Sequence, residues 1–147
     1  MATTGKDIFD MAITLMGELD DSGKTDYADT QEYKNRAVNI LNVLRGEVFQ
    51  YSDTYQDAMD ETGRRPVSTI LESLDDYLDI DDVLAQTVLP YGLAAHLLLD
   101  ENDAMAAFFQ QRYEDLLKKI GSKIPSSWES ITDVYNATLE YGQFGRW

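Results

Sequence analysis

The chain reads as an all-α protein: a small antiparallel helical bundle of about four main helices, one of them long, with an extended C-terminal tail. Three observations predict it. Apolar residues recur at steps of three and four in four separate windows, the signature of amphipathic helices. Capping residues precede those windows. The disruptive clusters Asp20–Lys24, Gly63–Pro66 and Asp100–Asp103 fall between them.

The first helix is expected to start at Thr4, with Asp7 as its capping-box partner. Ile8, Met11, Ala12, Leu15, Met16 and Leu19 then form one apolar face, and Asp20-Asp21-Ser22-Gly23-Lys24 ends it as a polar turn. That turn lacks the oxygen spacing and the twelfth-position Glu of a calcium loop. Asp29 and Glu32 read as the next capping pair. A single helix is expected from Gln31 to Tyr55, roughly 37 Å long at 1.5 Å per residue. Ala37, Leu41, Leu44, Val48, Tyr51 and Tyr55 make its stripe, widened by Val38, Ile40 and Phe49. Gly46 inside it costs about 1 kcal/mol and marks close packing or a bend.

Residues 57–67 read as a loop broken by Gly63-Arg64-Arg65-Pro66. Ile70, Leu71, Leu74, Leu78 and Ile80 follow in a stretch too acidic and short for a helix. A turn or strand-like crossing that tucks leucines beneath the helices is expected there. Asp79 or Asp81 caps a third helix running to Leu99, with Pro90-Tyr91-Gly92 set inside it. An interior proline costs about 3 kcal/mol and kinks the preceding turn. Gly92 admits a close neighbour. Asn102 caps a fourth helix that turns Met105, Phe108, Phe109, Tyr113, Leu116, Leu117 and Ile120 inward and ends at Gly121. The short connection makes helices three and four an antiparallel hairpin.

Beyond Pro125 a short helix from Ser127 docks Trp128, Ile131, Val134 and Tyr135, closing a helical domain of residues 1–135. Residues 136–147 form a separate tail in which glycines separate Tyr141, Phe144 and Trp147. Such aromatics either lie on their own domain or hook a partner.

The charge narrows function. Of 147 residues, 27 are acidic and 12 basic, giving −15. No Lys or Arg stands between Arg65 and Arg112, a window holding Asp75, Asp76, Asp79, Asp81 and Asp82. Phosphate neutralisation normally supplies nucleic-acid affinity, so sequence-specific nucleic-acid recognition is not expected. The cluster Lys118, Lys119 and Lys123 reads as charge complementing a helix C-terminus. With no cysteine, disulfides and thiolate chemistry are excluded. No signal peptide is visible, and no apolar run nears the about 18 residues of a membrane span, so a soluble cytoplasmic protein is expected.

The lone His96 has no partner placed by spacing and reads as a packed or interfacial residue. There is no phosphate loop, zinc helix or nucleophile triad. The acids read as caps and a solvated face, with a divalent metal as the minor alternative. No catalysis and no cofactor are expected.

The lead Leu74 to Asp82, the string Val88-Leu89-Pro90-Tyr91-Gly92-Leu93-Ala94-Ala95, then Glu101-Asn102 and Phe108-Phe109 with Arg112-Tyr113, resemble the small head–tail connector (adaptor) proteins of tailed phages. Pro125, Trp128, Ile131 and Tyr135 extend the likeness, which spans roughly residues 70 to 135; the first two helices agree in kind only. The resemblance implies a virion protein of the neck, assembled in the host cytoplasm. Its copies would form a ring, twelve-fold in most such proteins, beneath the portal protein ring. That ring would extend the DNA channel and receive a stopper or tail-completion protein. DNA would pass without sequence-specific binding, and no membrane is involved. Tyr141, Phe144 and Trp147 are the candidate portal-binding residues. Asp75, Asp76, Asp79, Asp81 and Asp82 are the candidate channel-facing acids, holding the duplex off the wall. Two other classes stay open: an acidic inhibitor or DNA mimic, and a helical-bundle enzyme or small-molecule binder with a polar pocket.

Overall fold

A computed structural model describes residues 2–121. It is all-α: α1 (Gly5–Met16), α2 (Gln31–Val48), α3 (Asp53–Thr62), α4 (Asp82–Thr87), α5 (Leu89–Leu98) and α6 (Asp103–Gly121). The only extended pairing among the described residues is an isolated antiparallel bridge between Thr4 and Tyr77. The expected Ser127 helix and the tail from residue 136 lie outside the described residues, as does Lys123.

Helix α5 is the hub, packed against α1, α2, α4 and α6. Leu89, Pro90, Gly92, Leu93, Ala94, Ala95, Leu97 and Leu98 are all buried, so the helix is apolar nearly all round. A helix of that kind belongs inside a domain. Gly92 makes the closest approach. A Cβ there would stand 2.9 Å from the Tyr113 ring of α6 and 3.1 Å from Leu44 of α2. The expected hairpin is formed by α5 and α6, and Asn102 Oδ1 accepts from the Met105 N–H at 3.1 Å as its cap.

The capping box on α1 is present as expected. Thr4 Oγ1 accepts from the Asp7 N–H at 3.2 Å, and Asp7 Oδ2 accepts from the Thr4 N–H at 2.9 Å. The helix ends at Met16, three residues before the expected Leu19, because Gly17 takes a left-handed φ of 77° and caps it. Its buried face is Ile8, Phe9, Ala12 and Ile13, whereas Leu15 and Leu19 are partly exposed. The expected stripe was thus rotated by about one residue, since Phe9 and Ile13 fit the same period.

The two longest expected helices are each divided. The Gln31–Tyr55 helix stops at Val48, passes through a 3₁₀ turn at Phe49–Tyr51, and restarts at Asp53. Ser52 is the cause: its backbone is extended (ψ 148°), its Oγ donates to Phe49 O at 2.6 Å and accepts from the Tyr55 N–H at 3.1 Å. Ser side chains offer the backbone this alternative to helix. Helix α3 then runs to Thr62 through residues expected to be loop. Helix α2 is preceded by a 3₁₀ turn at Ala28–Thr30, with Thr30 as its N-cap residue, so the Asp29–Glu32 pair does not cap it. Among the described residues Gly46 has no neighbour within 4 Å of a Cβ position, so it marks no close packing with them.

The third expected helix divides at Val88. Pro90 has no N–H and its ring would collide with the carbonyl of Gln86 in a continuous helix. The chain therefore breaks and places Pro90 in the first turn of α5, where proline is tolerated. Pro90 starts a helix instead of kinking one.

Candidate assembly surface

The acidic crossing, residues 63–81, passes beneath the N-terminus of α1. It buries Leu71, Leu74, Leu78 and Ile80 as expected, while Ile70 stays exposed. Helix N-termini leave their first N–H groups without partners. Here the crossing supplies them: the Gly5 N–H donates to Asp76 O at 3.1 Å and the Lys6 N–H to Leu74 O at 2.7 Å. The Leu78 N–H donates in return to Thr3 O at 3.0 Å.

Four of the five acids bind inside the protein. Asp76 Oδ2 accepts from the Glu72 and Ser73 N–H groups at 2.8 and 2.9 Å. Asp79 Oδ2 accepts from the Thr69 N–H at 2.9 Å, while its Oδ1 pairs with Arg45 Nη1 at 3.3 Å. Asp81 Oδ2 accepts from the Asp53 N–H at 2.9 Å, at the start of α3. Asp82 Oδ1 accepts from Thr3 Oγ1 at 2.7 Å. Asp75 is exposed. The Ser73 N–H, then that of Glu72, hold the Asp76 carboxyl below the usual range, and the Thr3 hydroxyl does the same for Asp82. These side chains stay ionised, so the crossing remains anionic while its carboxylates tie three elements together.

Two anchors of the crossing were not foreseen. Arg45 is 4% exposed, pairs with Asp79 and Ser68, and leaves its Nε without a partner among the described residues. Asn42 closes both sides of one residue, its Nδ2 donating to Leu71 O at 2.9 Å and its Oδ1 accepting from the Leu71 N–H at 2.8 Å. The available signal was register: Arg45 follows Ala37 and Leu41 by fours, a charge standing on an apolar stripe.

Pro90 and Tyr91 border a groove of about 760 Å³ between α1, the end of α4, the start of α5 and α6. Met11, Leu15 and Leu116 share its apolar lining, with Asp10 on α1 and Arg112 on α6. The Arg112 guanidinium lies over the Tyr91 ring, 5.8 Å from its centre, and Tyr91 sits 6.1 Å from Phe109. On the outer side of α6, Phe108 is 58% exposed and Met105 is partly so, against the expectation that both face inward. Leu99, Val43, Val67 and Val83 are also exposed.

Buried tyrosines join the helices. The Tyr113 hydroxyl donates to Glu47 Oε2 at 2.8 Å, and that of Tyr33 donates to Glu101. Burial, then the carboxylate each faces, pushes both phenols up. His96 is exposed. Among the described residues no three His, Cys, Asp or Glu side chains are grouped to hold a metal, and no helix is long and apolar enough to cross a membrane. Tyr141, Phe144 and Trp147 lie outside the described residues. Comparison with family models, curated proteins and solved structures finds no match for the chain.

Proposed function

We propose that the chain is a head–tail connector of a tailed phage or phage-like particle, docking as a ring of copies beneath the portal and joining capsid to tail. The observation that carries the proposal is the part played by the segment on which the resemblance rests. Val88 to Ala95 builds the hub helix, and Phe109 and Tyr113 pack on it. An acidic domain that fills its core this way and still exposes Phe108, Leu99, Val43 and Val83 has apolar surface left for neighbours. Tyr141, Phe144 and Trp147 are the proposed portal contacts, and a stopper or tail-completion protein meets the other face.

The acids fit a channel wall better than a DNA mimic. A mimic needs carboxylates presented outward at phosphate spacing, whereas Asp76, Asp79, Asp81 and Asp82 accept hydrogen bonds from the chain itself. A wall needs only net negative charge, which held-down carboxyls supply. Co-sedimentation with purified portal rings tests the docking, and the connector proposal expects the chain in the pellet. A chain left in the supernatant, or captured one-to-one by a basic protein in a salt-sensitive complex, contradicts it. An electron cryo-microscopy map with residues 75–82 on the outer rim would remove the channel role.

A further inference from the structure

We propose that, in the free protein, the groove beside Tyr91 and Arg112 is filled by residues Tyr141–Trp147 of the same chain. Three observations converge. The first is where the chain leaves the described fold. Leu116 and Arg112 line the groove from α6, and Gly121 follows them by about 8 and 14 Å of helix. The twenty residues from Gly121 to Tyr141 can reach at most about 70 Å, which exceeds either distance. Covalent attachment favours a segment of the same chain over a second copy at low protein concentration.

The second is chemistry. The groove combines the apolar surface of Met11, Leu15, Pro90 and Leu116 with a tyrosine ring under a guanidinium. That combination suits aromatic side chains, which stack on rings and on arginine. Tyr141, Phe144 and Trp147 recur at steps of three across glycines that put no side chain in the way. The volume, about 760 Å³, falls among sites that enclose a ligand of several rings.

The third is charge. The groove has Asp7 and Asp10 on its α1 side, with Lys6 at 3.9 Å from Asp10, and Arg112 on its α6 side. The segment is flanked by Glu140 before Tyr141 and carries Arg146 before Trp147. Opposite charges at the two ends of the segment match opposite charges at the two rims, which fixes one direction of entry. Under the connector proposal the segment exchanges its own groove for the portal. That consequence rests on the proposal, whereas occupancy in the free chain does not.

The absence of cysteine makes cross-linking clean. In the full chain, Leu15→Cys with Gly145→Cys should oxidise to a disulfide within a monomer. It should do so several-fold faster than Val43→Cys with Gly145→Cys, whose first site lies on the outer side of α2. Equal rates for the two pairs, or a cross-linked dimer, would overturn the proposal, the dimer because a second copy is then the occupant. Both tryptophans, Trp128 and Trp147, follow α6, so a Trp128→Phe chain reports on Trp147 alone. Its emission should be blue-shifted and several-fold less quenched by acrylamide than a peptide of residues 139–147. Leu15→Glu or Arg112→Glu should abolish that protection with helicity unchanged. Quenching equal to the peptide, or protection indifferent to both substitutions, contradicts groove occupancy.

Discussion

Helix α5 and the crossing at residues 63–81 both lie beneath other elements, and opposite means keep them there. Helix α5 satisfies most of its own backbone, with Arg36 donating to Leu97 O at 3.0 Å near its end, and offers neighbours chiefly apolar surface from Leu89 to Leu98. The crossing has almost no regular structure, so its backbone groups must find partners elsewhere. Asn42 takes both sides of Leu71, α1 takes the carbonyls of Leu74 and Asp76, and Asp76 and Asp79 cap the turns. Burial in one region is bought by packing, in the other by polar contacts at fixed geometry. The second kind is lost all at once when one partner goes, because a buried polar group left alone costs more than the bond was worth.

The largest expected break in that contrast is at the ion pair. Asp79→Ala strands Arg45, whose Nε already lacks a partner among the described residues, and should cost about 2–3 kcal/mol in urea unfolding. The carboxylate's partial exposure places this below a fully enclosed pair. Adding Arg45→Met should recover most of the loss. A single substitution within about 0.5 kcal/mol of the parent would show that the pair does not hold the crossing.

Next comes the hub. Gly92→Ala sets a Cβ 2.9 Å from the Tyr113 ring and should cost about 1–3 kcal/mol, with Tyr113 displaced. Thermal unfolding and the Tyr113 ring resonances check both. Unchanged stability would mean that α6 is free to withdraw from α5.

Acidification should separate the two regions. The Asp76 and Asp82 carboxyls lie below their ordinary range when folded. Their contribution is therefore complete above the unfolded value of about 3.9 and disappears as pH falls through the lower folded values. Amide resonances of Glu72, Ser73 and Leu78 should shift below pH about 3.9 before those of Leu93 to Leu97. Simultaneous change in both sets would show one cooperative unit.

The smallest effect has the opposite sign. Gly46→Ala, in α2 with no described residue within 4 Å of its Cβ position, should stabilise by about 0.5–1 kcal/mol, readable as a raised urea midpoint. A loss there would reveal a contact to Gly46. Two glycines inside helices thus answer differently, and only the neighbours decide.

This difference also explains what was legible in the chain. The caps at Thr4 and Asn102, the leucines beneath α1 and the apolar hub follow from local pattern, because period and capping are short-range properties. The divisions at Ser52 and Val88 depend on one hydroxyl and one missing N–H outweighing a continuous apolar stripe, which periodicity does not weigh. Phe9 displaced Leu15 from the core because two faces of α1 are apolar and only the partner chooses. Arg45 pairing with Asp79 joins residues 34 apart, and no spacing rule links α2 to an irregular crossing. The groove beside Tyr91 belongs to four helices at once, so it existed only after the fold did.

The connector proposal is tested most directly by native mass spectrometry of the full chain, alone and mixed with purified portal rings. The account predicts a monomer that becomes many copies on each portal. A chain that ignores the portal, or leaves as a one-to-one complex with a basic protein, would contradict it.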